Sequence, residues 1–240
     1  MTKYGQFCPV AKAAEVFAER WTPLIVRELV CGSHRFNELE SGLPNISRSL
    51  LTQRLRSLEH VGVIERRPTA DGRAWGYHLT EAGAELASIV VALGEWGQRW
   101  VNSELRPSDL DLDLVMWDLH RRLNWDKLPS RRTVVRFDFS GAQSRAYWLV
   151  LEHGEASVCR GDPGFDVDLD VTADTAAFHR VWIGHLQLTD AIREGLIRID
   201  GPSDLVRAFP SWLSYSVFAH IRPARDRAGA TLHGTSASPG

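Results

Sequence analysis

The chain has 240 residues, and 28 lysines and arginines against 30 acidic residues leave a net charge of −2, with 44% hydrophobic and 24% charged positions. That balance belongs to a folded chain with a sizeable core and excludes disordered, fibrous and uniformly basic classes. No apolar run approaches the roughly twenty residues of a membrane helix, the start lacks a secretory pattern, and Cys8, Cys31 and Cys159 form no CxxC pair, so a cytoplasmic protein with no membrane partner, disulfide framework, metal or other cofactor is expected.

Apolar residues at helical spacing predict a first helix over Val10 to Phe17. A second follows, with Thr22 as cap and Pro23 in the first helical position, and Gly32 stops it. Phe36 and Leu39 open a short third helix that Gly42 and Pro44 end. Ser47 then caps a helix from Arg48 to about His60, with Ile46 and Leu51 as a hydrophobic staple. By side-chain angle this helix divides in two. Leu50, Leu51, Leu55, Leu58 and Val61 share one arc; Arg48, Ser49, Thr52, Gln53 and Arg56 share the other. The second arc holds the residue types that hydrogen-bond base edges and phosphates, although a solvated polar face has the same pattern. Arg54 falls among the leucines and reads as a paired structural cation.

Directly downstream, Val63 to Arg67 reads as a strand, Ala70-Asp71-Gly72 as a tight turn, and Trp75, Tyr77 and Leu79 as the alternate positions of a returning strand. Helices followed by such a hairpin make a winged helix, and Arg66, Arg67 and Arg73 set cations on the hairpin where phosphates would pass. Thr80 caps a long helix in which Leu86, Ile89, Leu93, Trp96 and Trp100 recur at alternating steps of three and four. Such a seam packs within its own domain or against a second copy. The tryptophans near its end favour a homodimer, which would present paired DNA readers.

Cys8-Pro9-Val10, Arg20-Trp21-Thr22, Arg27-Glu28-Leu29, Arg35-Phe36-Asn37-Glu38-Leu39, Ile46-Ser47-Arg48 and Leu50-Leu51-Thr52-Gln53-Arg54-Leu55, in that order, resemble the HxlR-type winged-helix transcriptional regulators from about Cys8 to Gly97. The resemblance implies double-stranded operator DNA as partner and dimerisation through terminal helices. It carries Arg35, Asn37 and Ser47 into the DNA-contact set with Arg48, Ser49, Thr52, Gln53, Arg56, Arg66, Arg67 and Arg73. It also touches Cys8, because some members use a cysteine before the first helix as a redox sensor; a small packed thiol is the other reading.

Arg106-Pro107-Ser108-Asp109 interrupts the periodic pattern, and a new unit begins. Leu112, Val115, Met116, Leu119 and Leu123 suit an amphipathic helix, and Val134–Phe139, Ala146–Glu152, Ala156–Arg160 and Val167–Thr172 read as strands. Helices over Ala173–Gly184 and Thr189–Glu194, a strand over Leu196–Asp200 and a helix from Pro202 complete an α+β unit. Asp166, Asp168 and Asp170 alternate with apolar residues as in a half-buried strand, and Ala177 stands where a calcium loop needs glutamate. No catalytic motif is present, so no enzyme is expected.

Large rings are the unit's main feature: Trp117, Phe137, Phe139, Trp148, Phe178, Trp182, Phe209 and Trp212. They form core, or the walls of a hydrophobic pocket. With Val134-Val135-Arg136-Phe137-Asp138-Phe139, Phe178-His179-Arg180-Val181-Trp182 and Leu205-Val206-Arg207-Ala208-Phe209-Pro210, most of Leu112–Ile221 resembles sterol-carrier-protein-like domains, which implies a five-stranded sheet covered by helices and an apolar ligand. The expected organisation is therefore a winged-helix and dimerisation domain over 1–105, a sterol-carrier-like domain over 109–222 and a disordered tail over 223–240. The function expected is a dimeric DNA-binding regulator modulated by a hydrophobic small molecule. Its alternatives are a redox regulator acting through Cys8, or a lipid carrier whose winged helix makes protein contacts.

Overall fold

The computed structural model describes residues 3–69, 72–101, 105–152 and 154–224. Most of the tail expectation, and Ala70 and Asp71 of the hairpin turn, lie outside the described residues. The chain divides into two compact units, Met1–Gly94 and Glu95–Gly240. Among the described residues, no helix is long and apolar enough to cross a membrane.

The first unit comprises α1 (Pro9–Phe17), α2 (Thr22–Val30), α3 (Phe36–Ser41), α4 (Arg48–His60), β1 (Ile64–Pro68), β2 (Trp75–Leu79) and the start of α5 (Glu81–Trp100). Ile25, Val26 and Leu29 of α2, Leu39 of α3, Leu51, Leu55 and Leu58 of α4, and Ile64 of β1 close one core around Leu43 and Ile46. β1 and β2 pair antiparallel from Ile64↔Leu79 to Pro68↔Trp75. The outer end of this ribbon passes beyond the core, and Trp75 there is 62% exposed; the expected alternation holds only nearer the root.

Thr22 does not cap α2. Its N–H donates to Glu19 O at 3.0 Å, and the side chain is buried inside the first turn, so Trp21 takes the N-cap with a left-handed φ of 81°. Thr80 caps α5 as its sequence position predicts: its hydroxyl accepts from Gly83 N at 3.2 Å and donates to Gly62 O at 2.6 Å. A Cβ at Gly83 would stand 2.1 Å from Val63 O, so glycine alone lets α5 sit this close to the α4–β1 corner.

The second unit is built on a sheet of order β5-β4-β3-β6-β7, from β3 (Thr133–Ser140), β4 (Arg145–Glu152), β5 (Glu155–Cys159), β6 (Leu169–Asp174) and β7 (Ile197–Asp200). β3 and β6 run parallel and the remaining neighbours antiparallel. Strand period sends Val135, Phe137 and Phe139 of β3, Tyr147, Leu149 and Leu151 of β4, and Leu169, Val171 and Ala173 of β6 to one face. That face is covered by α6 (Leu112–Arg121), α7 (Thr175–Trp182), α8 (Leu188–Arg193) and α9 (Ser203–Trp212). The class is α+β.

β6 begins at Leu169, later than expected, because Asp168 is engaged at the sheet's end: its carboxylate accepts from Val134 N at 2.9 Å and pairs with Arg131 at 2.7 Å. Among the described residues, no group of three or more His, Cys, Asp or Glu is arranged to hold a metal.

Candidate nucleic-acid interface

α4 is fixed from within. Ser47 Oγ accepts from Leu50 N at 3.3 Å to start the helix, and Leu51, Leu55 and Leu58 bury one side of it. Arg54, on that inner side, meets Glu19 at 2.9 Å, as its angle among the leucines foretold. The opposite side is open: Ser49, Gln53 and Arg56 are exposed and Thr52 half-buried, where its hydroxyl donates back to Arg48 O at 2.8 Å. These residues share one shallow recess with Ser57, His60 and Val61. Sequence reading missed Ser57 and His60, although both follow Gln53 at helical spacings of four and seven, the signal that would have found them.

Arg48 is positioned differently. Its guanidinium pairs with Glu40 and lies 4.9 Å from the Phe36 ring centroid, so α3 steadies the first cation of α4. Arg35 and Asn37 are exposed at the start of α3, where Glu38 accepts from Arg35 N at 2.9 Å and His34 N at 2.7 Å. On the hairpin, Arg66 pairs with Glu59 at 3.0 Å and Arg67 with Glu65, and Arg73 is exposed near the tip. The hairpin root is held to the α2–α3 loop: Tyr77 N donates to His34 O at 2.8 Å, and the His34 and His78 rings stack at 4.3 Å. Burial, then the neighbouring His34 and Arg67, keep His78 below the usual histidine range.

A helix with buried leucines on one side and a guanidinium, amide and hydroxyl row on the other, beside an arginine-bearing hairpin, is the arrangement of a winged-helix reader. The family model described as HxlR-like helix-turn-helix matches residues 16–105. The uncharacterized HTH-type transcriptional regulator YvaP of Bacillus subtilis is 39% identical over 110 residues, which cover 45% of this chain and 97% of YvaP. The chain belongs to the HxlR-like helix-turn-helix family.

Other relatives are longer than the matched stretch. The uncharacterized HTH-type transcriptional regulator Rv3095 of Mycobacterium tuberculosis is 42% identical over 93 residues, covering 38% of this chain and only 58% of that protein. Among solved structures, the reduced form of the transcriptional regulator YodB from B. subtilis is 28% identical, with a TM-score of 0.36, covering 42% of this chain and all of that one.

Elsewhere, α5 carries an apolar stripe that is exposed among the described residues: Ile89, Leu93, Trp96 and Trp100 are 55%, 45%, 55% and 59% exposed, whereas Leu86 packs on the unit's own core. Cys8 is half-buried at the N-cap of α1, one residue closer to the helix than sequence reading placed it, and is a free thiol like Cys31 and Cys159.

In the second unit six of the eight rings meet in one core: Phe137, Phe139, Phe178, Trp182, Phe209 and Trp212. Phe139 and Phe178 lie edge to face at 5.1 Å, Phe209 and Trp212 at 5.6 Å. Two do not join them. Trp148 follows Tyr147 on β4 and so points to the opposite sheet face, opposite Arg136, while Trp117 lies on α6 between His120 and Arg121. The Trp212 indole Nε1–H is buried in that core without a hydrogen-bond partner.

Proposed function

We propose that this HxlR-family transcriptional regulator binds double-stranded DNA as a homodimer, with α4 in the major groove and the β1–β2 hairpin along the flanking phosphates. One observation carries the reading: the two-sided α4, whose leucines are buried while Ser49, Gln53 and Arg56 are exposed in a single row. Arg and Gln in such a row suit guanine and adenine edges, and the hairpin arginines add the salt-dependent phosphate component. The uncovered stripe of Ile89, Leu93, Trp96 and Trp100 supports a second copy packed through α5, because contiguous exposed apolar surface of this kind marks an interface. The test is a gel shift on the DNA upstream of the protein's own gene at two salt concentrations. Specific binding that weakens as salt rises is expected, and retention of that binding after Gln53→Ala and Arg56→Ala would remove α4 as the reader.

The same proposal gives the segment over about 109–222, within the second unit, the role of a sterol-carrier-like effector domain. A six-ring core under a helix-covered sheet is suited to an apolar ligand, and the unpartnered Trp212 Nε1–H supplies one donor for an oxygen on it. A ligand that prefers one state of the dimer shifts DNA affinity by that preference alone. Mass spectrometry of small molecules retained through purification tests this. Redox control through Cys8 is a second reading, favoured by the partial exposure of that thiol beside the start of α1. It requires a mild oxidant to change DNA binding in the native chain and to have no effect in Cys8→Ala.

A further inference from the structure

Glu95 and Arg99 stand one helical turn apart near the end of α5, so both side chains lie over the same strip of surface. Facing them is the segment His220-Ile221-Arg222, beyond α9. These five residues line a recess of about 410 Å³. Both walls are anchored to the same corner after α7. Gln98 Nε2 donates to Ile183 O at 3.0 Å from the α5 side. From the other side Ser216 N donates to Trp182 O at 3.1 Å, and Ala219 presses so close that a Cβ on Gly184 would meet its carbonyl oxygen at 2.0 Å. The recess is therefore built before anything enters it. Ile221 is buried at its base, and Arg222 and His220 are exposed at its edge.

Its chemistry is unbalanced. Two guanidiniums and an imidazole face one carboxylate, and Arg99 Nε is buried without a hydrogen-bond partner. A buried donor on a charged group left unsatisfied is costly, and guanidinium forks fit the planar or tetrahedral oxygens of carboxylates and phosphates. We propose that this recess binds a small organic anion, a carboxylate or phosphate monoester with a compact apolar body. Arg99 and Arg222 hold the charged head, Ile221 contacts the body, and Glu95 limits the charge the site accepts. The assignment is independent of the DNA-binding and apolar-effector readings, since it uses none of their residues.

Isothermal titration of the full chain with phenyl phosphate at low ionic strength is the test, with inorganic phosphate and neutral 2-phenylethanol as comparison probes. Saturable single-site binding is expected for phenyl phosphate, weaker binding for inorganic phosphate and none for the alcohol. Arg99→Gln and Arg222→Gln should each weaken binding about tenfold or more, as loss of a charge-assisted contact does. Glu95→Gln should tighten it, an effect of opposite sign that a purely structural role cannot produce. Arg222 is exposed, so its variant reads the site even if Arg99→Gln disturbs folding. Absence of saturable binding, or equal affinity in the Arg222 variant, overturns the assignment. Displacement of phenyl phosphate by a short DNA duplex also overturns it, giving the cations to the nucleic-acid backbone instead.

Discussion

Arg54 Nη2 lies 2.9 Å from Glu19 Oε2, and both side chains are more than four-fifths covered. One residue pair thus fastens the inner side of α4 to the α1–α2 turn, while Arg56, two positions later, is exposed. The two arginines should separate in experiment. Arg54→Ala should cost about 1–3 kcal/mol of stability, because it removes a charged partner from a poorly solvated carboxylate. Arg56→Ala should change stability by no more than about 0.5 kcal/mol, yet lower operator affinity by about 1–3 kcal/mol. Denaturant melts and gel shifts on both variants measure the two effects.

A second prediction concerns Gly42. Its φ of −78° suits any residue, so conformational freedom is not why glycine stands there. A Cβ would lie 1.9 Å from Glu28 Oε2, and Glu28 is fully buried, held by Arg27 at 2.7 Å and Ser33 at 3.1 Å. Gly42→Ala should destabilise by about 2–4 kcal/mol, since the carboxylate must leave partners that water cannot replace. Thermal unfolding that matches the native chain would show that the side chain swings aside freely.

The α5 stripe predicts assembly. Leu93→Glu sets a charge among Ile89, Trp96 and Trp100, all exposed in one copy, and should convert a dimer to a monomer with little effect on the fold of that copy. Sedimentation velocity reads the mass directly. Equal sedimentation of native and variant chains would exclude this stripe as the subunit contact.

Alkaline pH offers a fourth check, on the second unit. Burial, with a hydrogen bond from the Tyr147 hydroxyl to Asp113 at 2.6 Å, pushes the Tyr147 phenol up from its ordinary 10.0 to about 12. The folded state favours the protonated phenol, so this stability is complete below about pH 10 and is lost as pH rises towards about 12. Tyr147→Phe should therefore flatten the decline of stability over that interval. A decline of unchanged steepness would assign it to other groups.

Much of α4 was legible because a helix writes its two sides into the sequence at fixed angles. Ser47 as cap, Leu51, Leu55 and Leu58 as anchor, and Arg54 as an inward cation all follow from that period. Arg48 was legible as a cation on the open side, but not its tether, since Glu40 and Phe36 reach it only once α3 has folded back. Trp21 at the head of α2 was hidden for a related reason: Thr22 has the chemistry of a cap, and tertiary burial of its side chain overrides it. In the sheet, counting by twos from Tyr147 would have put Trp148 on the far face, so grouping rings by type and not by parity misplaced it.

The Thr80 hydroxyl joins three elements at one point, bonding Gly62 at the end of α4, accepting from Gly83 in α5, and sitting at the foot of the hairpin. Gly83 against Val63 keeps α5 close to the corner between α4 and β1. In a dimer built through α5, a small roll of one long helix against its twin would swing groove-reading and phosphate-reading groups together, as a crank turns its arm. Spacing between the two readers would then be set at the subunit contact, so operator choice would respond to substitutions far from any base.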